Sequence, residues 1–100
     1  MNVKRKENGS ELIVTVSGRI DTSTAPEFEK GVKPYLDGVT KLTIDFGDVN
    51  YVSSAGLRVL LMLQKKMMAQ GEMKLVNVTE PVCEVFEVTG FDEILTFEKA

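Results

Sequence analysis

The sequence predicts an α/β domain built on a mixed β-sheet, with helices mainly on one face and elements in the order ββαβαβαβ. Three observations carry this reading. Apolar residues switch along the chain between period two and period 3.6, the pattern of alternating strands and helices. The strand-like stretches alternate apolar with polar residues, whereas strands covered on both faces run almost uniformly apolar. Glycines at 38, 71 and 90 follow the helical stretches, where a helix exit favours that residue.

In Glu11–Ser17, Leu12, Val14 and Val16 share one face and Ile13 and Thr15 the other, so this is a strand buried on at least one side. Asn8-Gly9-Ser10 is a turn signal that pairs it with Val3–Glu7 as a hairpin. Thr24-Ala25-Pro26-Glu27 has capping-box spacing, and Ala25, Phe28, Val32, Tyr35 and Leu36 form the apolar face of the helix it opens. Pro34 removes a backbone donor and crowds the preceding turn, which predicts a kink or early end there. Lys41–Phe46, with Leu42, Ile44 and Phe46 on one face, reads as a central strand. Ser54 to Gln70 is the longest helical stretch; its apolar residues wrap widely, predicting packing on more than one side. Met73–Val78 is a further strand, Thr79 caps a short helix carrying Val82, Val85 and Phe86, and Ile94–Phe97 closes the chain as a brief strand. Strands joined through helices pair in parallel with right-handed crossovers.

One hundred residues suffice for one domain, taken as residues 1–100, and 43% hydrophobic against 27% charged residues favours folding over disorder. A net charge of −3 lacks the electrostatic footprint of a nucleic-acid binder and does not draw the chain to an anionic membrane. There is no histidine, and Cys83 is the single cysteine, so neither a disulfide nor a thiolate cluster is available; no metal or other cofactor is expected. Cys83, between Val82 and Val85, reads as a small buried hydrophobe. Met1 to Asn8 is too polar for a signal peptide and the window Leu57–Leu63 too short to span a bilayer, so a soluble cytoplasmic protein is expected. Asp45 and Asp48 have no third ligand or histidine to complete a metal or acid–base site.

The segment with chemistry is Asn50-Tyr51-Val52-Ser53-Ser54-Ala55-Gly56-Leu57-Arg58, between the central strand and the long helix. In an open α/β sheet, ligands and partners dock at this carboxyl end of the strands. Ser54 is placed as N-cap, accepting from the N–H of Gly56 or Leu57. One serine suffices for capping, yet Ser53 and Ser54 are two adjacent hydroxyls. Ala55 and Gly56 leave the backbone open to another protein's active site, and Gly56 in a first helical turn costs up to about 1 kcal/mol against alanine. A phosphate on Ser54 would meet unpaired N–H groups at the positive end of the helix, with Arg58 about one turn further on.

This segment, Val52 to Leu61 within the predicted element order, resembles the STAS domain of bacterial anti-sigma-factor antagonists. Gly18-Arg19-Ile20-Asp21 with Thr24-Ala25, and Lys41 to Phe46, are similar to the family's other characteristic stretches. The resemblance implies a protein that binds an anti-sigma factor, itself a serine kinase, and so frees a sigma factor. It further implies phosphorylation by that kinase on the serine two residues before the glycine, Ser54, and reversal by a PP2C-type phosphatase. The antagonist is then a substrate and partner, not an enzyme. Many members carry aspartate where this chain has Ser53 and serine where it has Ala55, which makes Ser53 a rival phosphosite.

Asp21 follows a strand neighbouring Lys41–Phe46 and is expected near Ser54 on one rim. Asp21 and Thr22 there have two readings, loop and helix-entry chemistry or partner contact, as Leu57 does between core and partner. The expected partner-binding set is Asp21, Thr22, Ser23, Ser53, Ser54, Ala55, Gly56, Leu57 and Arg58. A constitutive STAS interaction module in a larger regulatory or transport assembly, with the serine only a cap, is the alternative function. A nucleotide-binding or hydrolytic role lacks a P-loop, a dinucleotide fingerprint and a histidine base beside Ser54.

Overall fold

Strand β1 (Asn2–Asn8) runs antiparallel to β2 (Glu11–Ser17) as a hairpin, and β2, β3 (Lys41–Asp48), β4 (Glu72–Val78) and β5 (Phe97–Lys99) follow in parallel, in the sheet order β1-β2-β3-β4-β5. Helices α1 (Ala25–Val32), α2 (Ser54–Gln70) and α3 (Glu80–Thr89) provide the connections. The structure, a computed structural model, describes residues 1–100.

The alternation seen in sequence becomes two unlike sheet faces. On one, the cross-strand rows Leu12–Leu42–Met73 and Val14–Ile44–Leu75 are buried in the single large apolar cluster, joined from the helices by Phe28, Val32, Leu60, Leu63 and Phe86. Each such side chain stabilises the fold by about 1.5–3 kcal/mol on burial. On the other, the row Glu11–Lys41–Glu72 alternates in sign across neighbouring strands, with Lys41 Nζ 4.0 Å from Glu11 Oε2, and Lys74 Nζ lies 3.1 Å from Glu98 Oε2. Opposite charges on adjacent strands suit this face to water, with Ile13 and Val76 half-buried among them.

Helix α1 ends at Val32, and Lys33–Tyr35 tightens into a 3₁₀ turn at Pro34, as the missing donor requires. Tyr35 departs from the predicted apolar face: it is exposed, with the Arg5 guanidinium stacked 4.0 Å above its ring. Arg5 Nη1 also donates to the Gly31 carbonyl at 3.1 Å, so the edge strand clamps α1 through one arginine. Helix α2 has the predicted bounds and packs against both β4 and α1, with Leu57, Val59, Leu60, Leu63 and Met67 buried and Met68 exposed.

Three local expectations are corrected. Thr24 sits at the N-cap of α1 but its side chain makes no cap; the hydroxyl donates to the Arg19 carbonyl at 2.6 Å and accepts from the Asp21 N–H at 2.8 Å. Thr79 likewise caps nothing and donates to the Val49 carbonyl at 2.7 Å, tying the start of α3 to the loop after β3. The last strand begins at Phe97, not Ile94, because Phe91–Glu93 forms a 3₁₀ turn and the N–H groups of Ile94 and Leu95 bond back to the Phe91 carbonyl. Pairing with β4 starts only where the Leu75 N–H meets the Thr96 carbonyl.

Gly71 stops α2 for a steric reason. Its φ of 174° is open to any residue, but a Cβ there would run into the Thr40 backbone. Gly71→Ala is expected to lower unfolding free energy by about 1–3 kcal/mol in urea titration, the usual cost of overpacking.

Candidate functional site

Past the ends of β2 and β3 the two chains stay paired. The Gly18 N–H donates to the Asp48 carbonyl (3.1 Å), the Ile20 N–H to Tyr51 (2.9 Å) and the Ser53 N–H to Ile20 (2.8 Å), with Ile20 and Val52 forming a parallel bridge. The segment after β2 and the one after β3 therefore reach the same rim together. This brings Asp21–Thr24 beside Ser53–Arg58, as the strand order led one to expect.

The two serines divide their roles differently from expectation. Ser53, not Ser54, is the N-cap: it is extended (φ −84°, ψ 175°), half-buried, and its hydroxyl accepts from the Gly56 N–H at 3.4 Å. Its carbonyl takes the first helical bond, from Leu57 at 2.9 Å. Ser54 is one residue further, the first helical position, and is exposed. The backbone decides this, since an N-cap needs extended φ/ψ and the Ile20 pairing holds Ser53 extended.

Gly56 also departs from expectation. It is buried and faces inward, and a Cβ would lie 2.6 Å from Ile20 Cγ2 and 2.8 Å from Val52 Cγ1. Its missing side chain seats α2 on the Ile20–Val52 bridge rather than opening the backbone to an outside protein. Leu57 too is buried, which is the core reading.

Asp21 organises the loop before α1. Its Oδ1 accepts from the Ser23 hydroxyl (2.8 Å) and from the N–H groups of Ser23 and Thr24 (3.0 Å each). The Ser23 hydroxyl foremost, then the Thr24 N–H, hold its carboxyl below the ordinary aspartate range. Its Oδ2 lies 3.9 Å from Arg19 Nε, and the Arg19 guanidinium is stacked 4.1 Å above the exposed Tyr51 ring. Neither Arg19 nor Tyr51 stood out as a site residue in the sequence. The signal that finds them is the pairing of residues 18–20 with 48–53, which only strand order reveals.

A groove of about 460 Å³ runs between α1 and α2. Thr22, Ala25, Lys30, Ala55, Arg58, Val59 and Met62 are among its lining residues. Elsewhere, Asp45 accepts from the Gly47 N–H at 2.8 Å, and no three acidic, cysteine or histidine residues gather as a metal-binding group. Cys83 is buried; loss of hydration pushes its thiol pKa up, and Sγ donates to the Val78 carbonyl at 3.6 Å. No helix is long and apolar enough to cross a membrane.

Two outcomes are expected. Ser53→Ala removes the cap and costs about 0.5–2 kcal/mol in urea unfolding, whereas Ser54→Ala stays within about 0.5 kcal/mol. Because the Asp21 pKa is lower folded than unfolded, its contribution is complete above the ordinary aspartate pKa and is lost as pH falls below it toward the folded value. Asp21→Asn should accordingly lose less stability than the wild type between pH 7 and pH 3, measured by urea midpoints.

Comparison with known proteins agrees with this architecture. The STAS domain model matches residues 2–100. An anti-sigma-B factor antagonist of Bacillus subtilis is 32% identical over 96 residues, covering 95% of this chain and 88% of the relative. An anti-sigma factor antagonist structure from Mycobacterium paratuberculosis superposes with TM-score 0.87 at 24% identity, covering 99% of this chain and 86% of the other. The anti-sigma factor antagonist SpoIIAA in its unphosphorylated form gives TM-score 0.81 at 16% identity, covering 98% and 89%. Its phosphorylated form gives 0.73 at 15%, covering 98% and 92%. With the predicted fold in place and the family model matched from Asn2 to Ala100, this chain belongs to the STAS domain family.

Proposed function

We propose that this protein is an anti-sigma-factor antagonist whose switch is phosphorylation of Ser54. The observation carrying this reading is the separation of roles at the start of α2: Ser53 supplies the cap, so the exposed Ser54 is free for modification at no cost to the helix. Support comes from the Bacillus subtilis relative, an anti-sigma-B factor antagonist, and from SpoIIAA, an anti-sigma factor antagonist with solved unphosphorylated and phosphorylated forms.

In this reading the unphosphorylated protein binds an anti-sigma factor that is also a serine kinase, which releases a sigma factor; a PP2C-type phosphatase resets the switch. The protein contributes no catalytic group of its own. Its work is presentation: α2 holds the Ser54 hydroxyl outward, and Asp21–Ser23, Ala55 and Arg58 frame it. A phosphoryl group there adds about −1.5 to −2 charges at pH 7. It lands at the positive end of α2, which tolerates it. The fold therefore persists while the docking surface changes. A partner seated flush over Ser54 would bury an unmatched charge, at a cost of several kcal/mol.

The test uses the anti-sigma kinase of the source organism with ATP. Mass spectrometry should place one phosphate on the wild-type protein at Ser54 and none on Ser54→Ala. Ser54→Asp should bind the kinase at least about tenfold more weakly, a difference of about 1.4 kcal/mol. Phosphate on Ser53 instead would move the switch by one residue. Full-strength binding by a verified phosphoform would identify a constitutive interaction module.

A further inference from the structure

Near Ser54 two cations, Lys30 and Arg58, have no carboxylate partner, and a third, Arg19, holds only an exposed 3.9 Å contact to Asp21. Asp21 Oδ1 is taken by the turn Asp21–Thr24 and its Oδ2 faces Arg19, while Glu29 lies 3.9 Å from Lys33. Lys30 and Arg58, which line the groove between α1 and α2, have no carboxylate within 4.0 Å. Arg19 is stacked on Tyr51 with its side chain 66% exposed. A chain of net charge −3 thus keeps two unpaired cations, Lys30 and Arg58, beside Glu29 in the groove next to the first turn of α2, and an exposed arginine, Arg19, on the segment paired with residues 51–53.

We infer that this surface docks an acidic segment of the partner, with carboxylates on Arg19 and Arg58 and apolar side chains in the groove over Ala25, Val59 and Met62. The inference rests on the proposed function and adds the chemistry of the partner's contact. A guanidinium offers a planar fork that matches a carboxylate bidentately. Stacking on Tyr51 already restricts Arg19, so less rotamer freedom is lost on binding. Arginine and tyrosine are also the side chains that most often dominate binding energy at interfaces. The apolar groove floor beside Lys30 and Arg58 favours a protein segment over a nucleic acid, whose backbone offers only phosphate and sugar there. The same arrangement gives phosphorylation a second means of release: a phosphoryl group on Ser54 brings its own negative charge to these cations and competes with the segment for them.

The experiment takes the kinase activity recovered from the source organism by its ability to phosphorylate the wild-type chain, and compares steady-state kinetics of three substrates. Arg19→Glu with Arg58→Glu should raise KM by about tenfold or more while kcat changes less than about twofold, and should flatten the dependence of KM on salt. Lys4→Glu with Lys6→Glu, on the edge strand, makes the same change in net charge and should leave KM unaltered; thermal melts confirm that both variants fold. An unchanged KM for the first pair, or an equal rise for both pairs, would overturn the acidic-segment inference and leave the Ser54 switch standing. If no fraction phosphorylates the wild type, the switch itself falls, and this inference with it.

Discussion

Three backbone hydrogen bonds beyond the regular sheet, from Gly18 to Asp48, Ile20 to Tyr51 and Ser53 to Ile20, hold the rest of the site in place. They continue the parallel pairing of β2 and β3 past the irregularity between Thr15 and Ser17, so two loops distant in sequence arrive in one register. They also impose the extended backbone on Ser53 from which α2 departs. Gly56 completes the arrangement: only a residue without Cβ lets the first turn of α2 rest on Ile20 and Val52.

From that constraint the chemistry at the rim follows. A pinned Ser53 turns its hydroxyl to the Gly56 N–H, and the next residue must then stand outward. Asp21, brought alongside by the same pairing, spends its carboxylate on its own loop and on Arg19 rather than on a partner. What remains exposed is the Ser54 residue, with Arg19 stacked on Tyr51 and a groove between α1 and α2 that Lys30 and Arg58 help line. Under the proposed switch, a phosphoryl group would alter this surface and leave the core beneath it, which has no buried polar or charged residue, unchanged. On the opposite sheet face, Lys41 pairs with Glu11 and Lys74 with Glu98.

Most of the architecture was legible in the sequence because it depends on periodicity. Leu42, Ile44 and Phe46 alternate, and they are buried together; the apolar wrap of Ser54–Gln70 is a helix with those ends. Hydroxyl roles were not legible. Ser54, Thr24 and Thr79 each had the local spacing of a cap, and none caps, because each hydroxyl's partner depends on backbone that arrives from elsewhere: Arg19 for Thr24, Val49 for Thr79, and Ile20 for the extended residue preceding Ser54. Gly56 read as an opening to the outside because a missing side chain says nothing about which way it would have pointed.

By itself, then, the sequence determined the alternation of elements and the covered and uncovered faces of the sheet, because side-chain period and turn chemistry are local properties. Only the tertiary structure decided which of two adjacent serines is spent on the helix and which is left exposed, that Arg19 stacks on Tyr51, and that Lys30 and Arg58 line one groove. Those outcomes depend on register between strands and on the seating of a helix, and both are set by contacts between residues tens of positions apart.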